Sequence, residues 1–188
     1  IFIRTICLVG AFAYFTARGA AFGDVVLAAN AVLMNFQLFS AHALDGFAHA
    51  AEALGGSAVG ARNRTAFREA VRVAGFWAVL VSICFAGVYF TVGGMIVDLL
   101  TGIDEVRSMA REYLPWVSAM PLVAVFPFLF DGVFLGATRG RTMRNAMIAS
   151  VAIYAVACAA LVPLWGNHGL WVALAIFMGA RGLTLALR

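Results

Sequence analysis

VAGFWAVLVSICFAGVYFTVGGMIV, residues 73–97, carries no charged side chain. A helix rises about 1.5 Å per residue, so this run can cross a bilayer core about 30 Å thick. Membrane-spanning strands are shorter and alternate in polarity, and this run does neither. It reads as a transmembrane helix. Further stretches share its character: Thr5 to Phe22, Val26 to about Gly56, Tyr113 to Thr138, Ala146 to Trp165 and Leu170 to Leu187. The expected fold is therefore all-α, a polytopic bundle of six transmembrane helices in a single domain over residues 1–188.

Composition says the same. Of 188 residues, 64% are hydrophobic and 12% charged, with a mean hydropathy of +0.96. Soluble domains carry about 25% charged residues. Half that share leaves too little polar surface for a water-soluble globule, which excludes an ordinary soluble enzyme, a disordered chain and a secreted disulfide scaffold. Cys7, Cys84 and Cys158 fall singly in three different runs, in no paired or metal-type spacing. They are read as small core hydrophobes. The first residue is Ile1, already inside an apolar run, and no signal peptide is visible. The expectation is a piece of a longer protein.

All 13 basic residues are arginine. They cluster between apolar runs, a pattern of membrane topology and not of nucleic-acid binding, so no nucleic-acid partner is expected. Gly23-Asp24-Val25 and Gly166-Asn167-His168-Gly169 read as tight turns. The spans then alternate in direction. Arg62, Arg64, Arg68 and Arg72 fall on one side, with Arg139, Arg141, Arg144, Arg4, Arg181 and Arg188, which makes ten of the 13 arginines. Asp24, Asp98, Asp104 and Glu105 fall on the other, with Arg18, Arg107 and Arg111. The arginine-rich side is expected in the cytoplasm. The protein reads as a multi-pass protein of the inner (plasma) membrane with both ends of this segment cytoplasmic.

The second span holds a polar stripe. His42, Asp45, His49 and Glu52 recur at helical spacing on one face, and Asn35 extends it. Charge inside a bilayer is costly, so the stripe is expected to face the protein interior, a water-filled cavity or a substrate path. Burial favours the protonated form of a carboxylate, so such a group can take part in proton coupling. A structural polar network and a metal site are the other readings of the stripe, and no metal is expected because His168 is the one remaining histidine. Asp131, in the fourth span, is a second intramembrane carboxylate, suited to an ion, a proton, a cationic substrate or a packing contact. Pro115, Pro121 and Pro127 lie in the same span as expected kinks. Gly132 and Gly136 form a small-residue pair expected to pack inside the bundle. Leu44-Asp45-Gly46-Phe47 and Phe130-Asp131-Gly132-Val133 echo one another, which would follow from two similar helical hairpins.

Leu44-Asp45-Gly46-Phe47-Ala48-His49-Ala50-Ala51-Glu52-Ala53-Leu54, followed by Gly60-Ala61-Arg62, resembles the eighth-helix signature of the multidrug and toxic compound extrusion (MATE) family. Asp131-Gly132-Val133-Phe134-Leu135-Gly136-Ala137-Thr138-Arg139, continuing through Met143-Arg144-Asn145, resembles the end of the tenth helix in its DinF branch. The second motif is the more specific. The resemblance covers the whole chain and implies one lobe of a twelve-helix transporter, helices seven to twelve, with an N-terminal lobe elsewhere in the same chain as its partner. It implies a secondary antiporter rather than an enzyme, exchanging protons, or less readily sodium, for small organic cations and other xenobiotics, with no other cofactor. In the DinF branch the proton site is usually an aspartate of the N-terminal lobe. Another branch binds sodium with carboxylates on helices seven and ten. Asp131 matches the helix-ten position, but Thr5 to Phe22 has no carboxylate, which counts against that sodium site. Two other functions compete: a lipid or lipid-linked-sugar flippase of the same superfamily, which should show a more basic central cavity, and a membrane-embedded enzyme using the stripe.

Overall fold

The computed structural model describes residues 2–188. Five helical segments account for almost all of them: α1 (Phe2–Ala20), α2 (Asp24–Gly60), α3 (Arg64–Leu100), α4 (Asp104–Gly136) and α5 (Gly140–Ala186). Five stand where six were expected because α5 contains two arms. Its backbone leaves the helical region at Gly166, at φ 56° and ψ −129°. A Cβ on Gly169 would lie 2.3 Å from the carbonyl oxygen of Leu161. In a straight helix those residues would stand about 12 Å apart along the axis. The chain therefore turns back on itself, and the fifth and sixth expected spans are the arms 140–165 and 167–186. Among the described residues, α2, α3, α4 and α5 are long and apolar enough to cross a membrane. The shorter α1, which holds Arg4 and Arg18, falls below that standard.

The helices run past the apolar segments that announce them. α3 begins at Arg64, not Val73, and α4 at Asp104, not Tyr113. Arg64, Arg68 and Arg72 thus project from a helix, and the connections between the second and third and between the fourth and fifth expected spans shrink to short turns. In the first turn, Arg62 adopts φ 53°. The Asn63 N–H donates to the Ala58 carbonyl at 2.9 Å, and the Arg62 N–H to the Val59 carbonyl at 3.0 Å. The Asn63 side chain then accepts from the Ala66 N–H and starts α3. The turn after α4 repeats this closure, with Thr138 at φ 56°, Arg139 bonded to Phe134 and Thr138 to Leu135. Both are Schellman closures, which satisfy the last carbonyls of a helix within a few residues. The echo noted in the sequence is not a matching register, however. Asp131 lies about two turns before Thr138, whereas Asp45 lies nearly five turns before Arg62.

α4 occupies the centre and packs on α2, α3 and α5, while α1 lies against α2 and α5. α4 runs as one helix through Pro115, Pro121 and Pro127. The backbone break lies in α5 instead, three residues after Pro163. Gly132 and Gly136 let α4 touch α2: added Cβ atoms there would lie 2.0 Å from the Ala48 carbonyl oxygen and 2.4 Å from that of Glu52. Gly182 of α5 meets Pro127 in the same way, its would-be Cβ 3.2 Å from the ring. The large core cluster includes Phe15, Leu33, Leu170 and Trp171, all buried, with the Phe15 and Trp171 rings 4.8 Å apart. α3 keeps Phe76, Trp77, Ile83, Phe90 and Met95 on the outside, an apolar face suited to lipid. Of the cysteines, Cys158 is buried and Cys7 half-buried, but Cys84 is exposed on α3 and does not belong to the core.

Candidate substrate and ion pathway

Asp131 projects from the buried side of α4 and is 7% exposed. Two guanidinium groups meet on its Oδ2. Arg181, from the second arm of α5, donates through Nη2 at 2.7 Å, and Arg4, from the first turn of α1, donates through its own Nη2. Three helices are thereby tied at one point. The Arg181 side chain is 2% exposed, with Nη1 3.2 Å from the Met178 sulfur and its guanidinium carbon 5.7 Å from the centre of the Phe177 ring. The Nε atoms of both arginines are buried without a partner. Two cations thus share one anion, in surroundings where charge is costly.

The sequence alone did not show this pairing. Arg4 and Arg181 are ion-pair partners of Asp131, which leaves eight arginines on that side outside an ion pair, while opposite them Arg107 and Arg111 are paired with Asp98 and Arg18 is not in a salt bridge among the described residues. An intramembrane carboxylate requires a partner, and Arg181, inside the last apolar run, was the signal available.

A cavity of about 420 Å³ opens beside the cluster, between α1, α2, α4 and the second arm of α5. Its lining includes Phe12, Gln37, His42, Asp45, Phe128 and Arg181. The buried Gln37 Oε1 has no hydrogen-bond partner. His42 and Asp45 therefore share a space with Arg181, while His49 and Glu52 do not line it. The stripe is not interior within this chain. The His49 side chain is 70% exposed, that of Asp45 51% and that of Glu52 36%. His49 stands between the two acids, 3.5 Å from Asp45 and 3.4 Å from Glu52. His42 Nδ1 lies 2.7 Å from the Leu38 carbonyl oxygen, and the exposed Asn35 donates its amide to the Ala31 carbonyl at 3.0 Å. Among the described residues no three His, Cys, Asp or Glu side chains gather where a metal would sit.

A second polar cluster was not foreseen. Asn30 and Asn167 exchange amide hydrogen bonds of 2.8 and 3.0 Å, and the Trp171 indole donates to Asn30 at 3.0 Å. Asn167 is buried, although it belongs to a segment read as an exposed turn. His168 beside it packs on α4, accepting at Nδ1 from the Trp116 indole at 3.0 Å, with Nε2 3.1 Å from Glu112. Asn167 looks locally like a turn former, and nothing beside Asn30 in the second span points to a partner more than a hundred residues away.

Comparison with known proteins places this geometry in a family. Residues 1–161 match the MatE family. The chain belongs to the MatE family. Members of this MATE family are transporters, not enzymes. The chain is 41% identical over 186 residues to the DNA damage-inducible protein F of Escherichia coli (strain K12), across 99% of its own length and 40% of that protein's. It is DinF-like within the MATE family. Two solved structures share the fold. A MOP superfamily transporter from Pyrococcus furiosus, whose binding pocket is described as of reverse polarity, superposes with a TM-score of 0.87 at 16% identity, over 98% of this chain and 41% of that one. A MATE protein in its bent conformation gives 0.83 at 17% identity, over 98% and 42%. The chain spans about two fifths of the length of these relatives.

Proposed function

We propose that this MATE chain forms the C-terminal six-helix lobe of a twelve-helix secondary antiporter of the inner membrane, which exports small organic cations in exchange for protons by alternating access. The observation that carries this reading is the cavity of about 420 Å³ walled by Phe12 and Phe128 with Asp45 and His42 at its edge. Aromatic faces and a carboxylate are what a flat organic cation needs. The stripe of His42, Asp45, His49 and Glu52 is open within this lobe, where a second lobe would face it across the transport path. Proton coupling is favoured over sodium for a specific reason. Asp131 already serves two arginines, and α1 supplies no carboxylate beside it. A sodium ion needs several free oxygen ligands, and this site offers few.

One observation favours a second reading, a flippase or exporter of anionic, lipid-linked substrates. The most buried charged cluster has two arginines and one aspartate, and a more basic interior is what such a substrate calls for. The full-length transporter in proteoliposomes separates the readings. We expect an imposed proton gradient to drive uptake of a fluorescent organic cation and a sodium gradient to leave it unmoved. Uptake driven by sodium alone, or competition by anionic but not cationic compounds, would contradict the proposal.

A further inference from the structure

At the arginine-rich end of the bundle, three adjoining cavities of about 390, 380 and 500 Å³ meet at Phe67. They lie between the start of α3 and the ends of α2, α4 and α5. Arg68, Arg72 and Arg188 line the first, Arg62 and Arg64 the second, and Arg139 the third. No aspartate or glutamate lines any of them. Among the described residues, none of these six arginines is engaged in an ion pair. The opposite end of the bundle is different, because there Arg107 and Arg111 are both bound to Asp98.

The groove has a second character. Val71, Val133, Phe134 and Leu185 wall it around Phe67, so the same cavities are lined by apolar side chains and by arginines outside any ion pair. From this we infer that the groove is a binding site for an anionic phospholipid, with the arginines on the headgroup phosphate and an acyl chain along Phe67, Phe134 and Leu185. Guanidinium forks suit phosphate oxygens, which they engage with paired hydrogen bonds. Basic pockets at the ends of transmembrane helices recruit acidic headgroups. A soluble phosphate would satisfy the arginines but leave the apolar lining uncovered, so the two together select a lipid. The site is separate from the Asp131 cluster and does not depend on what the protein transports.

The test uses the full-length protein, purified and examined by native mass spectrometry with phosphatidylglycerol and phosphatidylcholine of identical acyl chains. We expect retention of phosphatidylglycerol over phosphatidylcholine, and a loss of at least about tenfold in that preference in Arg68→Gln/Arg72→Gln/Arg188→Gln. Arg141→Gln, at the same end but outside the groove, should keep the preference, and excess inorganic phosphate should leave the lipid bound. An equal loss in Arg141→Gln would reduce the effect to diffuse surface charge and overturn the site. Displacement by inorganic phosphate would overturn the lipid as its ligand. Equal retention of both lipids by the unaltered protein would overturn the inference without recourse to any variant.

Discussion

Asp131 and Arg181 illustrate how burial turns a substitution into a charge problem. Removing one partner of a buried ion pair leaves the other uncompensated, at a cost of about 3–5 kcal/mol, whereas replacing both is far milder. Arg4 is partly exposed, which tempers its share. Asp131→Asn should therefore lower the thermal midpoint of the detergent-solubilised full-length protein more than Asp131→Asn/Arg181→Met does. A double variant less stable than the single one would show that Arg181 is held by something other than Asp131. At this scale the sequence was informative about which carboxylate is deep but not about what it meets. Asp131 stood out because a lone acid in an apolar run is rare. Arg181 inside the last apolar run hinted at a partner, but which carboxylate it meets depends on how three helices converge, and that is not a local property.

Among elements, the α2–α4 contact depends on the absence of side-chain atoms at two positions. Alanine at Gly132 would bring a methyl group within 2.0 Å of the Ala48 carbonyl oxygen, so the helices must separate. We expect Gly132→Ala to cost about 1–3 kcal/mol, read as a lower melting temperature. Gly46→Ala on α2 meets nothing within 4 Å and should not destabilise, since alanine also favours the helix. If both variants melt like the parent, α2 and α4 do not pack through this face. The glycine pair was legible as a packing motif because small residues four apart share a helix face. Helix ends were less legible. Apolar runs mark the part of a helix inside lipid, and α3 and α4 continue past it as polar turns that hydropathy alone assigns to loops. At Gly166 the reverse applies. The turn was announced by Gly166 and Asn167, but it is tighter than its four residues suggested, and its asparagine is used inside the bundle.

Over the whole molecule, composition and run lengths suffice for a membrane-embedded helical fold, because too few charges are available to coat a soluble one. The orientation rests on arginines. Eight remain on one side outside an ion pair after Arg4 and Arg181 are assigned to Asp131, against Arg18 on the other, where Arg107 and Arg111 are assigned to Asp98, so the asymmetry survives. In a full-length protein with Cys7, Cys84 and Cys158 replaced by alanine, an impermeant maleimide should label Gly102→Cys from outside intact cells. Ala61→Cys should label only after permeabilisation. The opposite pattern would invert the topology. Asn167, in the segment read as an exposed turn, is unsuited to such labelling because it is buried against Asn30.

Arg181 lines the proposed substrate cavity and is held there by Asp131, so the proposed antiporter should need this pair for transport and not for scaffolding alone. Asp131→Asn/Arg181→Met tests this most directly, because it removes one charge of each sign and so preserves the net charge. The measurement is proton-driven uptake of an organic cation by the full-length variant in proteoliposomes, with its melting temperature taken alongside. We predict a protein that inserts and remains folded but transports at least about tenfold more slowly. Transport at the parental rate by the folded variant would contradict the claim and leave the cluster a structural tie between α1, α4 and α5.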